Sequence, residues 1–209
     1  MTSEQDTVRI IDTITLSDNW YILKKYVVDY LRRDGTRQRL EREVYDRGNG
    51  AVILLYNRQK NSVILIRQFR LPVYVNGHDG FLIEAAAGLL EEQDPVSRIK
   101  AEAEEETGFR ITDVEKVFEA FMSPGSVTEK LYFFIAEYED NNRQTAGGGL
   151  PEEGEDAEVL EMPFPQALAA IKCGEIIDGK TIMLLQHLAL SGRMENGSGK
   201  TDSGKLIIL

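Results

Sequence analysis

The residue types best suited to chemistry fall in AEAEEETGF (101–109), where Glu102, Glu105 and Glu106 stand within five positions of one another. On an α-helix, residues four apart differ in azimuth by only about 40°, so Glu102 and Glu106 project side by side with Glu105 flanking them. Like charges at that spacing cost an isolated helix about 0.2–0.5 kcal/mol, so the pattern calls for a compensating interaction. A divalent cation supplies one, because clustered carboxylates are hard oxygen donors that suit magnesium, or manganese in its place. The same charges could form no more than a solvated acidic helix face. The context argues for a site: a strand-like run, Gly88, an acidic turn, the helix, and then Gly108.

The surrounding pattern predicts the elements that hold this helix. Asp94-Pro95 is an N-cap followed by proline at the first helical position, and Gly108 is a C-terminal stop, giving a helix over 95–107. Val96, Ile99 and Ala103 form its apolar stripe toward the core, leaving the carboxylates on an adjacent surface face. AVILLYN (51–57) and SVILIRQFR (62–70) are apolar, β-branched runs about a polar turn, as in paired strands of a buried sheet. FLIEAAAGLL (81–90) enters as a strand and breaks at Gly88, while VEKVFEAF and KLYFFIAEY read as two further strands. The polar, glycine-rich segment 141–158 reads as a mobile loop, VLEMPF as a strand, and the segments after it as two closing helices. Residues 1–45 read as a small β-meander and 46–193 as the main domain. The segment 194–209 has linker composition, although its final LIIL could dock. The fold class expected is α/β, a mixed sheet between helices.

Composition narrows the partners. The 209-residue chain carries 35 acidic against 24 basic residues, net −11, which disfavours nucleic acid as a partner. Cys173 is the lone cysteine, so no intrachain disulfide forms, and it reads as a half-buried inert thiol. No run of about 18 apolar residues and no basic-then-apolar start is present, so a cytoplasmic protein with no membrane association is expected. His78 and His187 have no evident triad partners. Arg67 and Arg70 could be ordinary strand-edge solubilisers, and Trp20 an ordinary core residue.

The carboxylate segment resembles the second half of the Nudix box, Arg-Glu-apolar-any-Glu-Glu-any-Gly-apolar, with Ala101 at the arginine position. The first half departs further, with Gln93 where the box has glutamate and Gly88 one residue closer than the pattern asks. These departures touch the box's structural pair and leave its metal-binding half in place. The resemblance extends over roughly 10–190: VILIRQFR and FMSPGSVTEKLYFFIAEY are features of the nucleoside diphosphate sugar branch. LSDNWYIL, REVYDRGNGAVILLYN, AEYEDNNRQTAGGG and GEIIDGKTIMLLQ are similar to its GDP-mannose pyrophosphatase subgroup.

That resemblance implies a Nudix-type α/β/α sandwich preceded by a small antiparallel sheet. It makes Glu102, Glu106, the Ala87 carbonyl and, less directly, Glu105 magnesium ligands. Glu155 would be a further ligand, with Glu152 or Glu153 as alternatives because the acidic loop looks slightly long. Glu129 matches the candidate base, with Glu106 also catalytic. Trp20, Glu41, Arg42, Glu43, Arg70, Ala87, Gly88, Leu89, Glu129 and Lys180 match substrate contacts. The activity implied is pyrophosphate hydrolysis of a nucleoside diphosphate sugar such as GDP-mannose, with ADP-ribose hydrolysis or a non-catalytic nucleotide-sugar sensor as alternatives. The subgroup is dimeric through its N-terminal sheet, so a homodimer is expected, with Trp20 and Arg42 completing a neighbour's pocket.

Overall fold

The structure, a computed structural model, describes residues 7–195. The chain opens with an antiparallel meander of β1 (Val8–Asp18), β2 (Ile22–Leu31) and β3 (Arg37–Asp46), as the sequence predicts. A seven-stranded mixed sheet follows, built from β4 (Gly50–Asn57), β5 (Ser62–Phe69), β6 (Phe81–Glu84), β7 (Ala86–Leu89), β8 (Glu115–Phe121), β9 (Lys130–Glu137) and β10 (Glu158–Pro163). Its main path runs β10-β5-β4-β9-β8, with β4 and β9 parallel; β6 pairs with β5 and β7 with β4.

β4 shows why both faces are covered. Every residue in it is buried, and side chains alternate across a strand, so Ala51, Ile53 and Leu55 enter one apolar cluster while Val52, Leu54 and Tyr56 enter the other. The first cluster lies under α2 (Pro95–Thr107) through Ile99 and Ala103. The second lies under α3 (Phe164–Cys173) and α4 (Gly179–Ser191) through Phe164, Leu184 and Leu188. The result is the expected α/β/α sandwich. A short helix, α1 (Leu71–Val75), was not anticipated.

α2 has the predicted bounds: the Asp94 side chain accepts from Ser97 N, and Gly108 closes the helix in the left-handed region at φ 80°. Several local expectations need correction. The FLIEAAAGLL run breaks at Ala85 rather than Gly88, because there the chain leaves β5 (Ile66 opposite Glu84) to pair with β4 (Ile53 opposite Ala86). Ala85 N donates to Thr181 Oγ1 at 2.7 Å instead of into the sheet. Val96, placed on the apolar stripe, is 37% exposed in the first turn, before the helix reaches the sheet. Cys173, at the end of α3, is exposed rather than half-buried. The loop after β9 caps α2, with Gly148 N donating to Glu106 O (2.8 Å) and Gly149 N to Glu105 O (3.1 Å). Met194 is buried and Glu195 exchanges bonds with Asn61, so the start of the expected tail is docked; LIIL lies outside the described residues. Among the described residues, no helix is long and apolar enough to cross a membrane.

Gly108 is where the backbone requires glycine, since a Cβ there would combine a positive φ with a 2.3 Å approach to Thr145 O. Gly108→Ala should lower stability by about 1–3 kcal/mol, read as a lower urea midpoint with an unchanged slope. An unchanged midpoint would show that the helix end and its capping loop relax freely.

Candidate active site

The carboxylates are less exposed than a surface helix face implies. Glu102 and Glu106 are only 4% and 2% exposed, because β7 lies directly over this side of α2. Gly88 makes that approach feasible: a Cβ on it would fall 1.5 Å from Glu102 Oε1, so any larger residue would occupy the carboxylate's place. Ala87 N donates to Glu106 Oε2 at 2.8 Å. Arg98, one turn earlier, donates from Nε to Leu89 O (3.1 Å), pairs with Glu102 and reaches Glu105 at 3.3 Å. Glu104 turns outward to Arg110.

Electrostatics single out Glu106. Burial and the neighbouring Glu102 charge push its pKa up to about 8; the Ala87 N–H and Arg70 oppose this, and Glu155 adds to it. Glu155 lies in the loop that caps α2, where Leu150 N donates to its Oε2 at 2.9 Å. Glu152 is exposed on the 3-10 turn Pro151–Glu153. Among the described residues, Glu106 and Glu155 meet only backbone N–H donors, whereas Glu102 and Glu105 have Arg98 and Glu129 has Arg47 at 3.4 Å. No three acidic, histidine or cysteine side chains among the described residues form a finished cage. The donor set still suits a divalent cation: hard oxygens, two of them on carboxylates, Glu106 and Glu155, that repel each other and make no direct ion pair among the described residues.

Glu129 stands beside this turn, since its Oε1 and the Gly88 carbonyl lie 3.9 and 3.0 Å from the place of a Cβ on Gly50. Arg70 and Lys180 come together on Glu84, a residue the sequence reading did not single out. Arg70 Nε donates to Glu84 Oε2 (2.8 Å) and Lys180 Nζ to Glu84 Oε1 (2.6 Å); Lys180 also meets Asp178 at 3.0 Å. Burial disfavours the Arg70 charge, but Glu84, by charge and hydrogen bond, with help from Glu106 and Asp178, holds its pKa above the ordinary value. Arg70 is therefore more than a solubiliser, whereas Arg67 lies over the Phe81 ring at 4.4 Å. Glu84, Asp178, Arg98 and Arg47 were all missed. The one available signal was an acidic residue inside the apolar run FLIEAAAG.

The remaining expected contacts stay apart from this cluster. Trp20 is 85% exposed in the β1–β2 turn, stacked on Tyr21, and so is not a core residue. Arg42 donates to Glu41 O, Glu41 pairs with Lys25, and Glu43 is exposed on the same strand. None of the four bonds to α2 or β7 within the chain. His78 pairs with Asp79 and His187 lies edge-on to Phe118, both in other surroundings.

The raised pKa of Glu106 has a measurable consequence. The unfolded chain releases this proton near pH 4.5 and the folded protein near pH 8, so between these values the folded state binds more protons and stability falls as pH rises. In chelator, the unfolding midpoint of the wild type should fall relative to Glu106→Gln between about pH 4.5 and pH 8. A flat difference between the two would mean that Glu106 is ionised throughout.

Comparisons with known proteins identify the family. Residues 7–45 match the model of the GDP-mannose pyrophosphatase NudK N-terminal domain. A GDP-mannose pyrophosphatase of Klebsiella pneumoniae is 53% identical over 93% of this chain and 98% of its own. One from Pectobacterium atrosepticum is 55% identical over 91% and 98%, and one from Enterobacter sp. 57% identical over 90% and 97%. A solved structure of an ADP compounds hydrolase shares the fold, with a TM-score of 0.66 at 18% identity over 90% of this chain and 98% of that one. With the box residues on one buried turn and helix, and relatives matched nearly end to end, the chain belongs to the GDP-mannose pyrophosphatase family of Nudix hydrolases.

Proposed function

We propose that the protein hydrolyses the pyrophosphate bond of GDP-mannose, giving GMP and mannose 1-phosphate, with magnesium as its metal. The observation that carries this reading is the buried Glu102–Glu106 pair under Gly88, with the Arg70 charge acting on Glu106 and Lys180 joined to Arg70 through Glu84. An anhydride between two phosphates presents several negative oxygens, and hydrolysis adds water across one P–O bond to leave two phosphate monoesters. Glu102, Glu106, the Ala87 carbonyl and Glu155, with Glu105 in support, would hold the metal. A bound divalent cation there neutralises phosphate charge and lowers the pKa of water. Arg70 and Lys180 bind phosphate oxygens, the arginine as a planar fork. Glu129, shielded and beside the Gly88 turn, accepts the proton of the attacking water.

The N-terminal sheet supports a dimer. β1 exposes the apolar side chains of Val8, Ile10, Ile11, Ile14 and Leu16, which are uncovered among the described residues. A second copy related by a twofold axis would bury it and bring Trp20, Glu41, Arg42 and Glu43 to the partner's substrate. On this reading 1–45 is a dimerisation subdomain and 46–193 the hydrolase domain.

A panel of GDP-mannose, ADP-ribose and other nucleoside diphosphate sugars with magnesium should give the highest kcat/KM for GDP-mannose. A preference for ADP-ribose would replace the substrate, and no turnover of any would point to a sensor. Glu106→Gln should reduce kcat by at least about a hundredfold while the fold persists. Near-normal turnover of that variant at saturating magnesium would remove Glu106 from the reaction. Deleting 1–45 should abolish dimerisation and activity together; a fully active monomer by light scattering would exclude a shared site.

A further inference from the structure

Glu84 is a buried carboxylate that the proposed hydrolysis does not use. It ends β6, is 2% exposed, and meets groups from two other parts of the chain, the end of β5 and the start of α4. Burying a carboxylate costs several kcal/mol unless charge and hydrogen bonds offset it. Here each oxygen takes a different cation: Oε2 accepts from Arg70 Nε at 2.8 Å and Oε1 from Lys180 Nζ at 2.6 Å.

The bonds continue into a closed chain. Lys180 Nζ also donates to Asp178 Oδ1 (3.0 Å), and Asp178 Oδ2 accepts from Thr181 N (3.0 Å) and Thr181 Oγ1 (2.6 Å). Thr181 Oγ1 in turn accepts from Ala85 N at 2.7 Å, next to Glu84 in sequence. The end of β5, the β6–β7 junction and the start of α4 are thereby fixed to one another. The junction leads within two residues to Ala87, whose N–H holds Glu106.

We propose that Glu84 is a positioning residue, which holds Arg70 and Lys180 together as one cradle for a phosphate group of the substrate. This rests on the reading of those two cations as substrate contacts. Two like charges meeting at one place repel each other, and the carboxylate between them offsets that repulsion in the absence of ligand. Orientation matters as much as charge. Guanidinium is planar, so fixing Arg70 at Nε fixes the plane and edge on which its two terminal amino groups lie, and the bond to Glu84 consumes neither. Lys180 spends two of its three N–H bonds on Glu84 and Asp178, which leaves one for a ligand. Preset donors bind an anion without the entropy loss of ordering two long side chains.

The test is steady-state kinetics on GDP-mannose with magnesium, with thermal unfolding of each variant. Arg70→Gln and Lys180→Gln should each raise KM. Glu84→Gln, which keeps the shape but not the charge, should raise KM about tenfold or more with a much smaller change in kcat. Glu84→Asp should recover much of that loss and serves as the test variant if Glu84→Gln does not fold. In a chain already carrying Arg70→Gln and Lys180→Gln, Glu84→Gln should add no further rise, because Glu84 acts through those two residues. A normal KM for Glu84→Gln beside raised values for the two cation variants would overturn the inference alone. So would a full additional effect in the combined variant. Normal KM in both cation variants would instead overturn the substrate-contact reading, and the inference with it.

Discussion

The close approach of β7 to α2 is the constraint on which the rest of the site depends. It is made by the absence of a side chain at Gly88, which leaves room for the Glu102 carboxylate, and by the Ala87 N–H, which holds Glu106. The strand can take this position because β4 pairs with β7 through its first half and with β5 through its second. The helix can take it because Ile99 and Ala103, adjacent in azimuth to the two carboxylates, bury against the same sheet. The glycine-rich loop then caps the last carbonyls of α2, and brings Glu155 near Glu106 by the same bonds. The geometry of the carboxylate cluster and the packing of the core are therefore one problem in this protein.

Charge at the site is arranged against the field of the whole molecule. A chain of net charge −11 would repel a pyrophosphate at long range, but here most carboxylates are locally matched. Arg98 serves Glu102 and Glu105, Arg47 serves Glu129, and Arg70 and Lys180 share Glu84. Glu106 and Glu155 are left with backbone N–H donors among the described residues, which is where added positive charge gains most. Arg98 also joins helix to strand through Leu89 O, a tie that the box positions Ala101 and Gln93 have no charge to make.

The N-terminal sheet follows a different logic. Tyr45 and Asp46 join it to the loop between β8 and β9, by bonds to Ser126 and Thr128, and its outer strand leaves five apolar side chains exposed. Three strands bury little by themselves, and Val27 is the one buried residue of β1, β2 and β3. Among the described residues, Trp20, Glu41, Arg42 and Glu43 on this sheet stay apart from the carboxylate helix.

The sequence alone determined the helix of the site and its ends, because caps act within a turn: Asp94, Pro95 and Gly108 set bounds that the structure reproduces. It also determined the N-terminal meander, the β4–β5 hairpin and a sheet between helices, since apolar runs and turn residues are local signals, whereas the pairing of β4 with β7 and β9 joins distant segments. It did not determine which carboxylates would be buried, because a periodic helix face does not say what lies above it, and only the crossing of β7 decides that. Nor could it assign Gly88 its role. Glycine reads from sequence as a turn, whereas here it clears space for a side chain fourteen residues later. Glu84 lies nearly a hundred residues before Asp178 and Lys180 along the chain, and their joint function exists only where β6 and the start of α4 meet. Contacts between distant segments leave no periodic trace in one sequence, so tertiary structure alone could bring these charges together.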